Sequence, residues 1–194
     1  MPKMKYSGEH TVLTYAYLRH SSKCVLEITE ENEEGNVHTS MSSLILSAFS
    51  LEASLNHIGE KLFPFWKEVE KNLSPESKLD FICHDLKITP DFSKKPYQSF
   101  RKVLKFRNKL AHGKTETVKG SWSGKSNDKP ISQIETEWQK MCTPKTAKKI
   151  FDDITEIVTK LHKAAGMGEY PFLSIGHGSS VGKLQLPTLD KGIA

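Results

Sequence analysis

At 194 residues with 37% hydrophobic content, the chain is long enough for one domain of ordinary size with a buried core, which excludes disorder of the whole. Three cysteines, Cys24, Cys83 and Cys142, lie far apart with no CxxC pair, so neither a disulfide framework nor a zinc site is expected, and the net charge of +5 is modest. The N-terminus lacks an apolar signal region and no run approaches the roughly 20 apolar residues of a membrane span, so a cytoplasmic protein without membrane contact is expected.

A first helix is predicted over about Glu9 to Glu33, with Leu13, Tyr17, Cys24 and Ile28 on one stripe. Alternation over Val12 to Leu18 leaves a short strand as the alternative. Thr39, Ser40, Ser42 and Ser43 then offer capping oxygens for a helix running to about Phe63. In it Leu44, Ala48, Leu51, Leu55, Ile58 and Leu62 form one stripe, and Ile45, Phe49, Gly59 and Phe63 a second. A helix apolar on two sides belongs at the centre of a helical assembly. Into its second stripe fall Glu52 and Asn56, four residues apart. Buried carboxylates rarely stand alone, so Glu52 is expected to face an inward cation.

Phe65 to Asn72 reads as a short helix, and Ser74-Pro75 opens another to about Leu86 with Leu79 and Ile82 inward. After a linker from Ile88 to Pro96 comes the stretch Lys95 to Lys114, KPYQSFRKVLKFRNKLAHGK. Phe100, Val103, Leu104, Leu110 and Ala111 recur at helical spacing, and Arg107 falls on the same stripe. A guanidinium keeps its proton and is costly to bury alone, so Arg107 needs an anion, a protein group or water to face. Glu52 is the obvious partner. Asn108 and His112, four apart, are neighbours on the helix surface. Arg107 and His112 are separated by roughly 140° of helix rotation, and Gly113, read as a left-handed cap, is expected to free His112 to swing toward the arginine. Arg101, Lys105, Lys109 and Lys114 concentrate positive charge around these residues, as expected of a face that attracts RNA.

Arg107-Asn108-Lys109-Leu110-Ala111-His112 resembles the arginine, polar residue, three residues, histidine signature of the HEPN superfamily, small all-helical domains that include metal-independent RNases and toxin components. The resemblance covers roughly residues 10 to 165. It implies an all-α, up-and-down bundle of about five to six helices, with catalytic Arg107, His112 and Asn108 supported by Glu52 and Asn56. HEPN domains often dimerise so that two motifs meet, which implies a homodimer. The resemblance also raises a nucleotidyltransferase-type antitoxin as a candidate partner, which a neighbouring gene for such a protein would point to.

The rest of the chain is less regular. Thr115 to Pro130, with Val118 and Trp122 as its apolar residues, is expected to be a loop beside His112 able to act as a flap. Ile131 to Met141 reads as a short helix, and Thr143-Pro144 opens a helix to about Ala165 with Ile150, Phe151, Ile154, Ile157, Val158 and Leu161 buried. The organisation expected is a helical domain over 1-165 and a Gly-rich extended tail over 166-194. Within the tail, GHGSSVGK is not a phosphate loop: Gly176 and Gly182 are one residue too far apart and Leu184 follows Lys183 where serine or threonine belongs.

Three functions fit the motif. An RNA endonuclease without cofactor or metal would use the substrate's 2′-hydroxyl, with His112 moving protons and Arg107 stabilising the phosphorane. A non-catalytic module would hold a nucleotide or RNA phosphate, or a second copy, with the same residues. In the third, Arg107 and His112 only pair and cap within the fold.

Overall fold

The computed structural model describes residues 3–121 and 134–185, and its order is β1 (Lys3–Val12), α1 (Thr14–Glu31), α2 (Asn36–Leu62), α3 (Trp66–Val69), α4 (Pro75–Asp85), α5 (Tyr97–Ala111), α6 (Pro144–Ala164) and β2 (Gly176–Gln185). Short 3₁₀ turns follow α3 and precede α6. The chain is mostly helical, but not purely: β1 and β2 pair antiparallel, Lys3 opposite Gln185 through to Val12 opposite Gly176. The expectation of an all-α chain is corrected by this ribbon. Its strands lie at opposite ends of the sequence, a pairing that local periodicity cannot reveal.

Helix α2 is central, touching α1, α3, α4, α5 and α6. Leu44, Ala48, Leu51, Leu55 and Ile58 are fully buried, as their stripe requires. Against α1 the contact is made by small polar residues. Ser22 Oγ donates to the Ser43 carbonyl at 2.9 Å and lies 2.9 Å from Ser47 Oγ, while Ser50 Oγ donates to the Tyr15 carbonyl at 2.8 Å. These hydroxyls are satisfied, and the small side chains let the antiparallel helices close up; Ser40 Oγ, also buried on α2, makes no hydrogen bond among the described residues. The buried face of α1 is thus Tyr15, Ala16, Ser22, Leu26 and Thr29, not the expected stripe: Tyr17 and Ile28 are half-exposed and Cys24 is exposed.

Local signals set the ends of α4 and α6. Ser74 Oγ accepts from the Ser77 N–H at 3.1 Å and Thr143 Oγ1 from the Thr146 N–H at 3.2 Å, with proline in the first turn of each helix. All six apolar residues predicted inward on α6 are buried. Cys83 and Cys142 are core thiols, and burial pushes each up to about 11. Residues 134–141 hold only the 3₁₀ turn Gln139–Met141 where a helix was expected. Trp122, the remainder of the proposed flap, the start of that segment and the end of the tail lie outside the described residues.

The chain after α6 is fixed by aromatic contacts. Arg19 lies between the rings of Phe151 and Phe172, 4.6 Å from each centroid, and its Nε donates to Thr155 Oγ1 at 3.2 Å. Phe172 also packs on Tyr15, whose ring stacks on His57 at 4.7 Å. Phe172 thus anchors the returning chain against α1, and β2 begins beside β1. Leu13 N–H donates to the Ile175 carbonyl at 2.9 Å where the ribbon meets the helices.

Gly59 is a packing glycine, because a Cβ there would land inside the ring of Trp66, itself 1% exposed. Alanine at an ordinary helical glycine stabilises by up to about 1 kcal/mol. At Gly59 the sign reverses: Gly59→Ala is expected to destabilise by about 1 to 3 kcal/mol through overpacking, read as a lower urea midpoint. A midpoint equal to or above the wild type would contradict this packing.

Candidate functional site

Two neighbouring arrangements on α5 hold the residues singled out by sequence. The first is a charge cluster between helices. Arg107 Nη2 donates to Glu52 Oε2, so the expected pair forms across α5 and α2. A second cation joins it. Lys78 on α4 is 4% exposed, and its ammonium lies 3.9 Å from Glu52 Oε1. One carboxylate therefore serves two cations on two different helices. Asn56 Oδ1 and Arg107 Nε, both buried, make no hydrogen bond among the described residues. Lys78 escaped the sequence reading, although its signal was present: it lies four before Ile82 and next to Leu79, on the inward stripe of α4.

The second arrangement is an open groove of about 1310 Å³ between α5, the chain after it and the segment leading into α6. His112 and Asn108 both line it and both are exposed. Helix α5 ends at Ala111, with His112 as its capping residue at φ −109° and ψ 26°. The left-handed cap expected at Gly113 is not formed, since the positive-φ glycines among the described residues are Gly35, Gly166 and Gly168. A tightened last turn closes the helix instead: His112 N–H donates to the Asn108 carbonyl at 3.1 Å and Gly113 N–H to the Leu110 carbonyl at 3.2 Å. His112 keeps the direction its helical position gives it. Arg107 does not line the groove, as 140° of separation predicts for an uninterrupted helix.

Six lysines and three glutamates line the groove, an excess of three positive charges besides His112. Lys105 and Lys109, predicted from sequence, are among them, and Lys109 Nζ holds Glu116 Oε2 at 3.0 Å, tying the following chain to the helix. Lys102 completes their stripe at helical spacing. Lys119, Lys140 and Lys149 come from other segments, which no local pattern could link to α5. Arg101 and Lys114 are not groove residues. The Arg101 guanidinium instead covers Phe92 at 4.0 Å and its Nε faces Glu76 Oε1 at 3.6 Å. The groove floor is apolar, built from Phe106, Trp138, Met141 and Ile150.

Helix α5 is held from both sides. Ser99, 1% exposed, donates to Asp153 Oδ2 on α6 at 2.5 Å, and Arg107 holds α2 through Glu52. The groove is thus a concavity with an excess of positive charge and one imidazole among its lining residues. Among the described residues no three His, Cys, Asp or Glu side chains gather to hold a metal ion, and no helix is long and apolar enough to cross a membrane. Comparison of the chain with protein-family models, with curated proteins and with solved structures finds no match.

Neutralising Glu52 leaves two cations facing each other. Complete burial would make that cost about 3 to 5 kcal/mol; with Glu52 30% and Arg107 20% exposed, Glu52→Gln is expected to cost about 2 kcal/mol in urea unfolding. Adding Lys78→Met should recover most of that loss, because the repelling cation with the weaker partner is gone. An unchanged midpoint in Glu52→Gln, or no recovery in the double variant, would contradict the cluster.

Proposed function

We propose that the chain is an RNA-directed protein of HEPN type, an up-and-down helical bundle with an added ribbon, which binds RNA phosphates in the lysine-lined groove and cleaves the strand without a metal. The observation that carries the reading is His112 in that groove, with Asn108 one turn before it. The groove lysines supply counterion release and hold the backbone, while the imidazole lies within reach of what they hold. Cleavage then follows from the substrate's own chemistry. His112 takes the 2′-hydroxyl proton, the oxygen attacks the adjacent phosphorus, and the 5′-oxygen leaves with a proton, giving a 2′,3′-cyclic phosphate and a 5′-hydroxyl. Asn108 orients the imidazole or bonds a phosphate oxygen. A homodimer around α5 would bring a second His112 for the second proton transfer. A cytoplasmic toxin with a nucleotidyltransferase-type antitoxin is the setting that suits such an activity.

Arg107 favours a second reading. Committed to Glu52 and absent from the groove lining, it serves here as a support for α5, and charge stabilisation of a phosphorane falls to the groove lysines. A domain that only binds RNA or a nucleotide would need no more than those lysines.

Purified protein incubated with total RNA and EDTA separates the two. His112→Ala is expected to reduce cleavage by a factor of about 10² to 10⁴ with an unchanged melting temperature. Lys102→Ala with Lys105→Ala should weaken RNA binding and flatten its salt dependence. Binding without cleavage in the wild type would support the binding module; cleavage that survives His112→Ala, or that EDTA abolishes, would overturn the mechanism.

A further inference from the structure

The β1–β2 ribbon is longer and more exposed than a cap on a helical domain requires. Residues 4–12 of β1 are all exposed, Tyr6 to 69% and Val12 to 52%, as is Val181 of β2 to 62%. Among the described residues each strand pairs only with the other, which leaves a ten-residue edge on each. An isolated two-stranded ribbon is marginal in water and gains from a further strand.

The register shows which edge groups are open. Leu13 N–H bonds the Ile175 carbonyl immediately beyond the Val12–Gly176 pair, so odd-numbered residues of β1 direct their backbone groups toward β2. Met4, Tyr6, Gly8 and His10 then turn their N–H and C=O groups to the open edge.

We infer that a second copy of this chain adds to that edge, β1 against β1 antiparallel, with the two-fold axis at Ser7, giving a continuous four-stranded sheet. Side-chain chemistry selects this register. With Ser7 opposite itself, Lys5 of each copy stands opposite Glu9 of the other, in positions without a direct backbone bond, where side chains approach most closely. Tyr6 stands opposite Gly8 of the second copy, in a backbone-bonded pair. Across β2 Tyr6 already faces a glycine, there in a pair without a direct backbone bond: a Cβ on Gly182 would come within 2.9 Å of the Tyr6 ring. Moving the axis to Tyr6 or Gly8 puts Lys5 opposite Ser7 or Thr11 and forfeits both ion pairs. This interface is separate from the groove and does not rest on the RNA reading.

Cysteine cross-linking in full-length protein tests it, with the exposed native thiol removed by Cys24→Ser. Ser7→Cys is expected to oxidise to a covalent dimer. Lys5→Cys and Glu9→Cys should each form no covalent dimer on oxidation alone but cross-link when mixed. By light scattering, Lys5→Glu should weaken association about tenfold, since two symmetric pairs change from attraction to repulsion, and Glu9→Lys added to it should restore association. Far-UV circular dichroism confirms that each variant keeps its helices. A monomer at high micromolar concentration, or a dimer in which Ser7→Cys cross-links no better than Lys5→Cys, would overturn the inference. The latter result would leave a dimer around α5 standing.

Discussion

Glu52 is the charge on which the arrangement of the central helices depends. It projects from the helix that touches all the others, and its two oxygens face Arg107 on α5 and Lys78 on α4. A lone carboxylate there would be costly, and so would either cation. Together they form a charge set that spans α2, α4 and α5. Because α5 is also held by Ser99 and Asp153, its rotation is fixed, and with it the direction of the surface that carries Lys102, Lys105, Asn108, Lys109 and His112.

The consequence is a division of labour along one helix. Arg107 faces inward and holds the fold, while Asn108 and His112 face the groove. The six-residue stretch therefore places Arg107 in the charge cluster and His112 in the groove without their meeting at a single small target. The groove's positive charge is gathered from four parts of the chain, α5, the chain after it, the turn before α6 and α6 itself, so its field is a tertiary property even though its imidazole is placed by local helix geometry. Glu116, held by Lys109, limits that excess at the end nearest the chain leaving α5.

Much of the helical part was legible because its residues carry strong local signals. Pro75 and Pro144, each behind a hydroxyl cap, mark two helix starts, and the stripe of α6 and the first stripe of α2 as far as Ile58 name buried residues correctly, whereas in the second stripe of α2 only Gly59 is buried and Phe49 is 42% exposed. The Arg107 to Glu52 pair followed from two polar residues that interrupted apolar stripes. Lys78 carried the same signal and was missed because Leu79 and Ile82 read well without it. The ribbon was not legible: Val12 begins a helical context, and Gly176 to Lys183 shows no alternation of hydrophobic residues. The inner face of α1 was hidden for a related reason, since serines and a threonine pack there where apolar residues were sought. Gly113 misled because glycine after a helix suggests a left-handed cap, whereas here its N–H closes the last turn by bonding back three residues to the Leu110 carbonyl.

On the proposed reading, an RNA phosphate meets His112 in the groove at the end of α5. Histidine ring NMR during titration with a 2′-O-methyl oligonucleotide, which can bind but cannot be cleaved, tests it most directly. The His112 ring signals are expected to shift on binding, those of His57 to stay in place, and raised salt to reverse the change. Binding that shifts other residues while the His112 signals stay in place would contradict it.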